Sequence, residues 1–425
     1  MGAVGGMSEQ TLGESLEAAA PVPAHGETDA RLCVAMLGAF PPQAQGVQDY
    51  CREIALALAR LCEVRALGFK RMYPARVFPG VKQAMDPSKA PMISEHLGVE
   101  HRLTWHNPFG WLRAGLFTEA DVFHAQWWSW PLWGVTWTIA RTMKLRGKPV
   151  VLTVHNVLPH EMDKNYLRAT RSVCNLADRV LVHSETNRAQ LLQYYRLPEE
   201  KVVQVPLGPY MAETEKVAKD AACAALDLPP DKRYILTFGT IRPYKGVDDL
   251  LQALSMLSPA CADVRLIVAG KPWTAWGLYQ RVIDANALAD RVHLFLDYIP
   301  EDRLRYFFGA ADLIALPYRH FDAQSGVCAV ALPYRKPIIV SEVGGLPDWV
   351  DRDPRWTVPP TDPEALARRI EDFFARADDE TAAFQAIGDR VLRRFAWDGI
   401  AEQHVAVYRE LHDRSGKTGR HGHLV

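Results

Sequence analysis

The chain has 425 residues, with 49 Lys and Arg against 50 Asp and Glu and a formal net charge of −1. That balance argues against nucleic acid as a partner, because proteins that track phosphate backbones carry a basic excess, and the length leaves room for two domains. The seven cysteines, Cys33, Cys51, Cys62, Cys174, Cys223, Cys261 and Cys328, are scattered and form no C-x-x-C pair, so they read as reduced residues of a cytoplasmic protein and not as a disulfide frame or zinc site.

Residues 1–30 combine Gly, Ala, Glu and Pro without a basic start or an apolar run, which predicts a disordered tail and not a signal peptide. No stretch has the unbroken apolar length of a membrane span. Residues 31–40 then read as a strand ending at Pro41-Pro42, and Gly46 precedes an amphipathic stretch over 47–61. A second strand is expected at 64–69, whereas 75–110 is too irregular to assign. Strand-like runs follow at 121–126, 149–155, 179–183 and 202–205, the first three each succeeded by a helical pattern. The turn-rich PLGPYMAE segment after them marks a hinge between domains.

The second half repeats this rhythm. Strands are predicted at 234–240, 263–270, 291–296, 313–317 and 337–341, and helices starting near Lys245, Trp276, Glu301, Gly326 and Pro363. A last helix is expected from Trp397 to His412, followed by a loose tail over 413–425. Alternating strands and helices in two sets predict an α/β protein of two Rossmann-like, doubly wound domains, 31–206 and 207–395, facing each other across a cleft lined by strand C-terminal ends.

Two glycine-marked loops in the second half look built for an anion. In LTFGTIRPYKG (236–246) a strand runs into Gly239 and Thr240, then Arg242 and Lys245 stand immediately before a helix. Cations there oppose the helix dipole, a poor choice for stability alone but a good one for phosphate. In residues 311–348 the strand ADLIALPY leads to Ser325, Gly326 and Val327 at a helix start, whose unpaired amides face the same strand ends. No metal-ligand cluster is visible, so no metal or other cofactor is expected and protein cations are assigned the anion.

These segments, FGTIRPYKG, VAGKP (268–272), ADLIALPY, the SGV…KPIIVSEVGGLPD run and TVHNVLPHE (153–161), resemble the GT-B nucleotide-sugar glycosyltransferases of group 1. The resemblance covers a whole architecture and implies a closing helix, 396–412, that returns to the first domain. It also implies transfer of a sugar from a UDP- or GDP-sugar donor to a saccharide or lipid-linked saccharide, in polysaccharide or glycoconjugate synthesis. Lys245 matches the family's lysine one position before the helix-starting glycine. The family's arginine follows the first glycine directly, where this chain has Thr240, so Arg242 is a shifted substitute. His155 coincides with the family's cleft histidine and is assigned contact with the sugar. Gly46 lies in a loop that approaches the diphosphate in the family, and Glu161, beside His160, is an acceptor-side candidate. The chain departs from the family at two glutamates separated by seven intervening residues. With Gly326 in register, Ala323 and Ala331 occupy those positions, so ribose recognition and the stereochemical course are not borrowed from the family's pattern, and a retaining outcome stays as what the resemblance implies.

Seven of the twelve tryptophans fall within 105–137, and Arg141, Lys144, Arg146 and Lys148 follow. Core packing, acceptor-sugar stacking by Trp127 and Trp128, and docking at the inner face of a membrane all fit such a cluster. Two other functions stay open: a nucleotide-sugar epimerase or hydrolase of the same architecture, and a nucleotide-sugar-binding partner protein without turnover.

Overall fold

The computed structural model describes residues 31–42, 46–73, 92, 94–158, 164–210, 215–322 and 324–420. The predicted tail over 1–30 therefore lies outside the described residues.

The first half forms a parallel sheet of seven strands. In chain order come β1 (Cys33–Leu37), α1 (Gly46–Leu58), β2 (Glu63–Arg71), β3 (Leu97–Thr104), α2 (Pro108–Phe117) and β4 (Val122–Trp127). Then follow α3 (Trp133–Leu145), β5 (Val150–Val154), α4 (Lys164–Leu176), β6 (Arg179–Val182), α5 (Glu185–Gln190) and β7 (Val202–Gln204). The spatial order is β3-β2-β1-β4-β5-β6-β7, so the chain switches direction between β1 and β4, where doubly wound sheets bind ligands beyond their strand ends. Helices cover both faces of the central strands, so β4 and β5 are buried throughout, β5 as a largely apolar run and β4 with His124 and Gln126 enclosed in it.

The second sheet has six parallel strands in the order β10-β9-β8-β11-β12-β13. It is built from α6 (Lys219–Ala225), β8 (Arg233–Phe238), α7 (Val247–Met256), β9 (Val264–Ala269), α8 (Gly277–Ala285) and β10 (Val292–Phe295). The chain continues through α9 (Leu304–Ala310), β11 (Leu313–Leu316), α10 (Gly326–Ala331), β12 (Ile338–Ser341) and β13 (Thr357–Val358). Three helices complete it: α11 (Pro363–Ala375), α12 (Ala377–Arg394) and α13 (Trp397–Arg420). Here the switch lies between β8 and β11, whose C-terminal ends carry the two glycine-marked loops.

Helix α13 packs on the first sheet. His404 reaches Tyr50 of α1, Tyr408 hydroxyl lies 2.6 Å from His124 Nδ1 of β4, and Glu410 pairs with Arg179 of β6 at 2.6 Å. The helix also runs to Arg420, so the loose tail predicted over 413–425 is corrected for 413–420, while 421–425 lie outside the described residues. The Glu410–Arg414 pair at 2.8 Å spans one turn of this extension. Two strands escaped the sequence pattern. β3 is an exposed edge strand without an apolar run, and β13 is two residues long.

Candidate active site

The β8–α7 turn is shaped by two glycines. Gly246 has φ +63°, and a Cβ there would stand 2.1 Å from the Pro317 carbonyl at the end of β11, so only glycine lets the two strand-end loops close on each other. A Cβ at Gly239, φ +96°, would meet Lys245 Nζ at 2.9 Å and Val327 Cγ2 at 3.0 Å. Gly239 and Lys245 from one predicted segment and Val327 from another thus converge, with Lys245 and the start of α10 both bordering the space a side chain at Gly239 would fill.

Lys245 is buried. Its Nζ donates to the Phe238 carbonyl at 3.4 Å and lies 5.4 Å from the centre of the Tyr318 ring. Among the described residues it has no ion-pair partner. Burial first, and then the Arg242 charge, pull its pKa down to about 7. A buried lysine with no carboxylate is costly unless an anion arrives.

Arg242 is held from outside the predicted segment. Its guanidinium stacks 4.2 Å from the Trp273 ring centre, and Trp273 is fixed because its amide donates to the Ile241 carbonyl at 2.8 Å while the Ile241 amide donates to Lys271 at 2.9 Å. Trp273 follows VAGKP and went unread, since an indole after a glycine turn has no distinctive spacing. Thr240 is exposed in the same turn.

Ser325 is buried and caps α10, its hydroxyl accepting from the Cys328 amide at 3.3 Å. The first-turn amides of Gly326 and Val327 have no acceptor within the helix. Gln324, a polar residue of the same loop, accepts from the Leu207 amide at 2.8 Å and so ties the loop to the segment after β7. Ala331 is buried on α10, and Ala323 lies outside the described residues.

In the first sheet, His155 follows β5 and both its ring nitrogens are engaged. Nε2 lies 2.9 Å from the Gln126 amide and Nδ1 lies 3.3 Å from His183 Nε2, while Tyr50 sits edge-on at 4.7 Å. His183 Nδ1 meets the Val205 carbonyl at 3.0 Å. The network continues through Gln126 to His124, which also meets Thr153 and Tyr408. Burial holds His155 and His124 well below the ordinary imidazole range and brings His183 and His404 down to about 4. The two halves meet next to this network, where Ser184 hydroxyl donates to the Asp322 carbonyl at 3.3 Å and the Tyr210 ring stands 3.6 Å from where a Gly326 Cβ would be.

Gly46 starts α1. Glu161 and His160 lie outside the described residues. Trp127 is corrected as an acceptor-side residue. It faces the core, fully buried, with its indole N–H donating to Thr170 Oγ1 at 2.9 Å, because it lies on central strand β4 covered on both faces. Trp128 is half-buried and donates to the Tyr73 hydroxyl at 2.9 Å. Among the described residues no group of three or more His, Cys, Asp or Glu side chains is arranged to hold a metal ion.

Two family models match the chain. One, described as Glycosyltransferase Family 4, matches residues 44–209, and the other, Glycosyl transferases group 1, matches residues 232–376. Curated relatives include three D-inositol 3-phosphate glycosyltransferases. That of Segniliparus rotundus is 31% identical over 55% of this chain and 52% of its own length. Those of Thermobispora bispora and Mycolicibacterium smegmatis are 29% and 28% identical over 70% and 72% of this chain and 72% of theirs. This chain therefore spans about half of the first relative and under three quarters of the others. Among solved structures, HepE from Anabaena in complex with UDP and glucose superposes with a TM-score of 0.68 at 16% identity, over 89% of this chain and all of that one. Sucrose-phosphate synthase from Thermosynechococcus elongatus gives 0.66 at 20% identity, over 90% and 99%.

Proposed function

This chain belongs to the group 1 glycosyltransferases of GT-B fold, and from that premise we propose that it moves one sugar from a UDP- or GDP-sugar to a saccharide or lipid-linked saccharide. The observation that carries the reading is Lys245, a buried amine without a carboxylate, set against the same glycine as the start of α10. In the transfer, the bond between the anomeric carbon and the diphosphate oxygen breaks, its electrons leave with the nucleoside diphosphate, and the acceptor hydroxyl oxygen bonds the sugar carbon as it loses its proton. Charge grows on the departing oxygen, so cations already in place stabilise the transition state more than the bound donor. Lys245 and Arg242 fill that role, with the amides of Gly326 and Val327 on the other side. The family's second glutamate is replaced by buried Ala331, so ribose recognition rests on other groups. His155 reaches the sugar by releasing Gln126 from Nε2.

A UDP-linked donor is supported by the HepE neighbour, solved with UDP and glucose. A second acceptor class, an inositol phosphate, is favoured by the names of the curated relatives. The test is incubation of the purified chain with UDP- and GDP-sugars, with and without oligosaccharide, lipid-linked saccharide or inositol phosphate, followed by mass spectrometry. Acceptor-dependent release of nucleoside diphosphate with a matching glycosylated product supports transfer. Release indifferent to any acceptor would make the protein a donor hydrolase or epimerase, and tight binding without release a binding partner.

A further inference from the structure

Helix α2 shows its apolar side to solvent. It sits on α3 through small residues: Ala114 and Gly115 are buried, and a Cβ on Gly115 would stand 2.7 Å from Thr142. Trp111 lies over Gly134 of α3 and its indole donates to the Thr104 carbonyl at 2.7 Å, which fixes the rotation of the helix. That rotation turns Phe109, 81% exposed, and Phe117, 74% exposed, outward together with Leu112 and Leu116. Along α3, Trp133, Trp137, Arg141 and Leu145 recur every four residues, and all but half-buried Trp137 are exposed. An amphipathic helix in a water-soluble fold ordinarily points such residues inward.

The charges on these two helices have one sign. Residues 103–118 and 122–148 contain Arg113, Arg141, Lys144, Arg146 and Lys148 and no Asp or Glu. Lys144 and Lys148 pair with Asp178 and Asp121, and Arg146 donates to the Gly115 and Thr118 carbonyls. Arg113 and Arg141 are exposed and in no ion pair among the described residues. Glu119 and Asp121, in the turn after α2, pair with Arg65 and Lys148, so a two-fold dimer through the helices would set Arg113 and Arg141 against copies of themselves, which like charges oppose.

We propose that the outward faces of α2 and α3 dock on a bilayer containing anionic lipid. Phe109, Leu112, Leu116 and Phe117 enter the boundary between headgroups and acyl chains, Trp133 lies at headgroup level, and Arg113 and Arg141 meet lipid phosphates. This deepens the proposed reaction by naming where a lipid-borne acceptor is met. It also moves the docking surface away from Trp127 and onto α2.

The test is co-sedimentation of the full chain with vesicles of phosphatidylcholine alone and of phosphatidylcholine with phosphatidylglycerol. Vesicle binding is read without turnover, so this inference and the transfer reaction fail separately. Wild type should pellet with the mixed vesicles and lose binding at high salt. Phe109→Ser with Phe117→Ser should weaken binding at least about tenfold with an unchanged melting temperature, since both side chains are already in water. Arg113→Gln with Arg141→Gln should weaken it only where phosphatidylglycerol is present. Wild type that stays in the supernatant, a phenylalanine double variant that binds normally, or a wild-type dimer that this variant converts to monomer would each overturn the proposal.

Discussion

His155 Nδ1 and His183 Nε2 meet at 3.3 Å, and their shared contact dictates where the protons of the network lie. The Val205 carbonyl can only accept, so His183 Nδ1 carries a proton. Neutral His183 then accepts at Nε2, and His155 Nδ1 donates to it. His155 Nε2 is left as an acceptor, satisfied when the amide nitrogen of Gln126 is turned towards it. His124 completes the set by accepting at Nδ1 from the Tyr408 hydroxyl and donating from Nε2 to Thr153. All three imidazoles are neutral in this arrangement, and an added proton has no acceptor waiting.

Acid should therefore destabilise the fold early. With folded pKa values lowered to about 4 for His183 and His404, the unfolded chain binds protons below pH ~6.5 that the folded chain refuses. Stability is full above that point and falls as pH drops from 6.5 towards 4, by about 1.4 kcal/mol per pH unit for each histidine kept neutral. Urea midpoints measured from pH 7.5 to 5 should show the fall, and His183→Gln should flatten it. A wild-type midpoint constant over that range would remove the neutral network.

Lys245 should bind its anion together with a proton. At pH 8, above its pKa of about 7, the empty-site amine is largely neutral, and a diphosphate raises that pKa back towards the ordinary lysine range. UDP binding at pH 8 should take up close to one proton, read by calorimetry in buffers of different ionisation enthalpy, and its affinity should decline as pH rises further. Lys245→Met should abolish the uptake. Lys245→Ala should lower turnover by about a hundredfold or more with the fold intact; near-normal turnover would exclude Lys245 from the chemistry.

Gly246→Ala tests the closeness of the two strand-end loops. The left-handed φ and the 2.1 Å approach to the Pro317 carbonyl leave no room for a methyl group, so a loss of about 3 kcal/mol is expected. The melting temperature checks it. Gly277→Ala, where a Cβ meets nothing within 4 Å, serves as the control and should leave stability unchanged or slightly raised.

Turnover should survive chelation. If Lys245 and Arg242 carry the diphosphate, EDTA leaves the rate unchanged and added magnesium does not raise it. Activity lost to EDTA and restored by magnesium would show that a divalent ion shares the leaving group.

Much of the architecture was legible in the chain because its signals are local. Apolar runs such as 266–269 and 313–316 mark strands buried on both faces, and the glycines at 239 and 246 mark turns that other residues strain to make. Lys245 stood out for the same reason, as a cation beside a helix start. What the sequence by itself determined was two sets of parallel α/β units and an anion-seeking loop. Tertiary structure alone decided that Lys245 and Val327 meet beside Gly239, that Trp273 holds Arg242, and that Gln126 and His183 occupy both nitrogens of His155. It also sent Trp127 into the core while leaving Phe109 and Phe117 in solvent. An indole on a central strand and a phenyl on a surface helix have the same composition signal. Which of them is buried depends on the element packed against it, and that partner is distant in sequence.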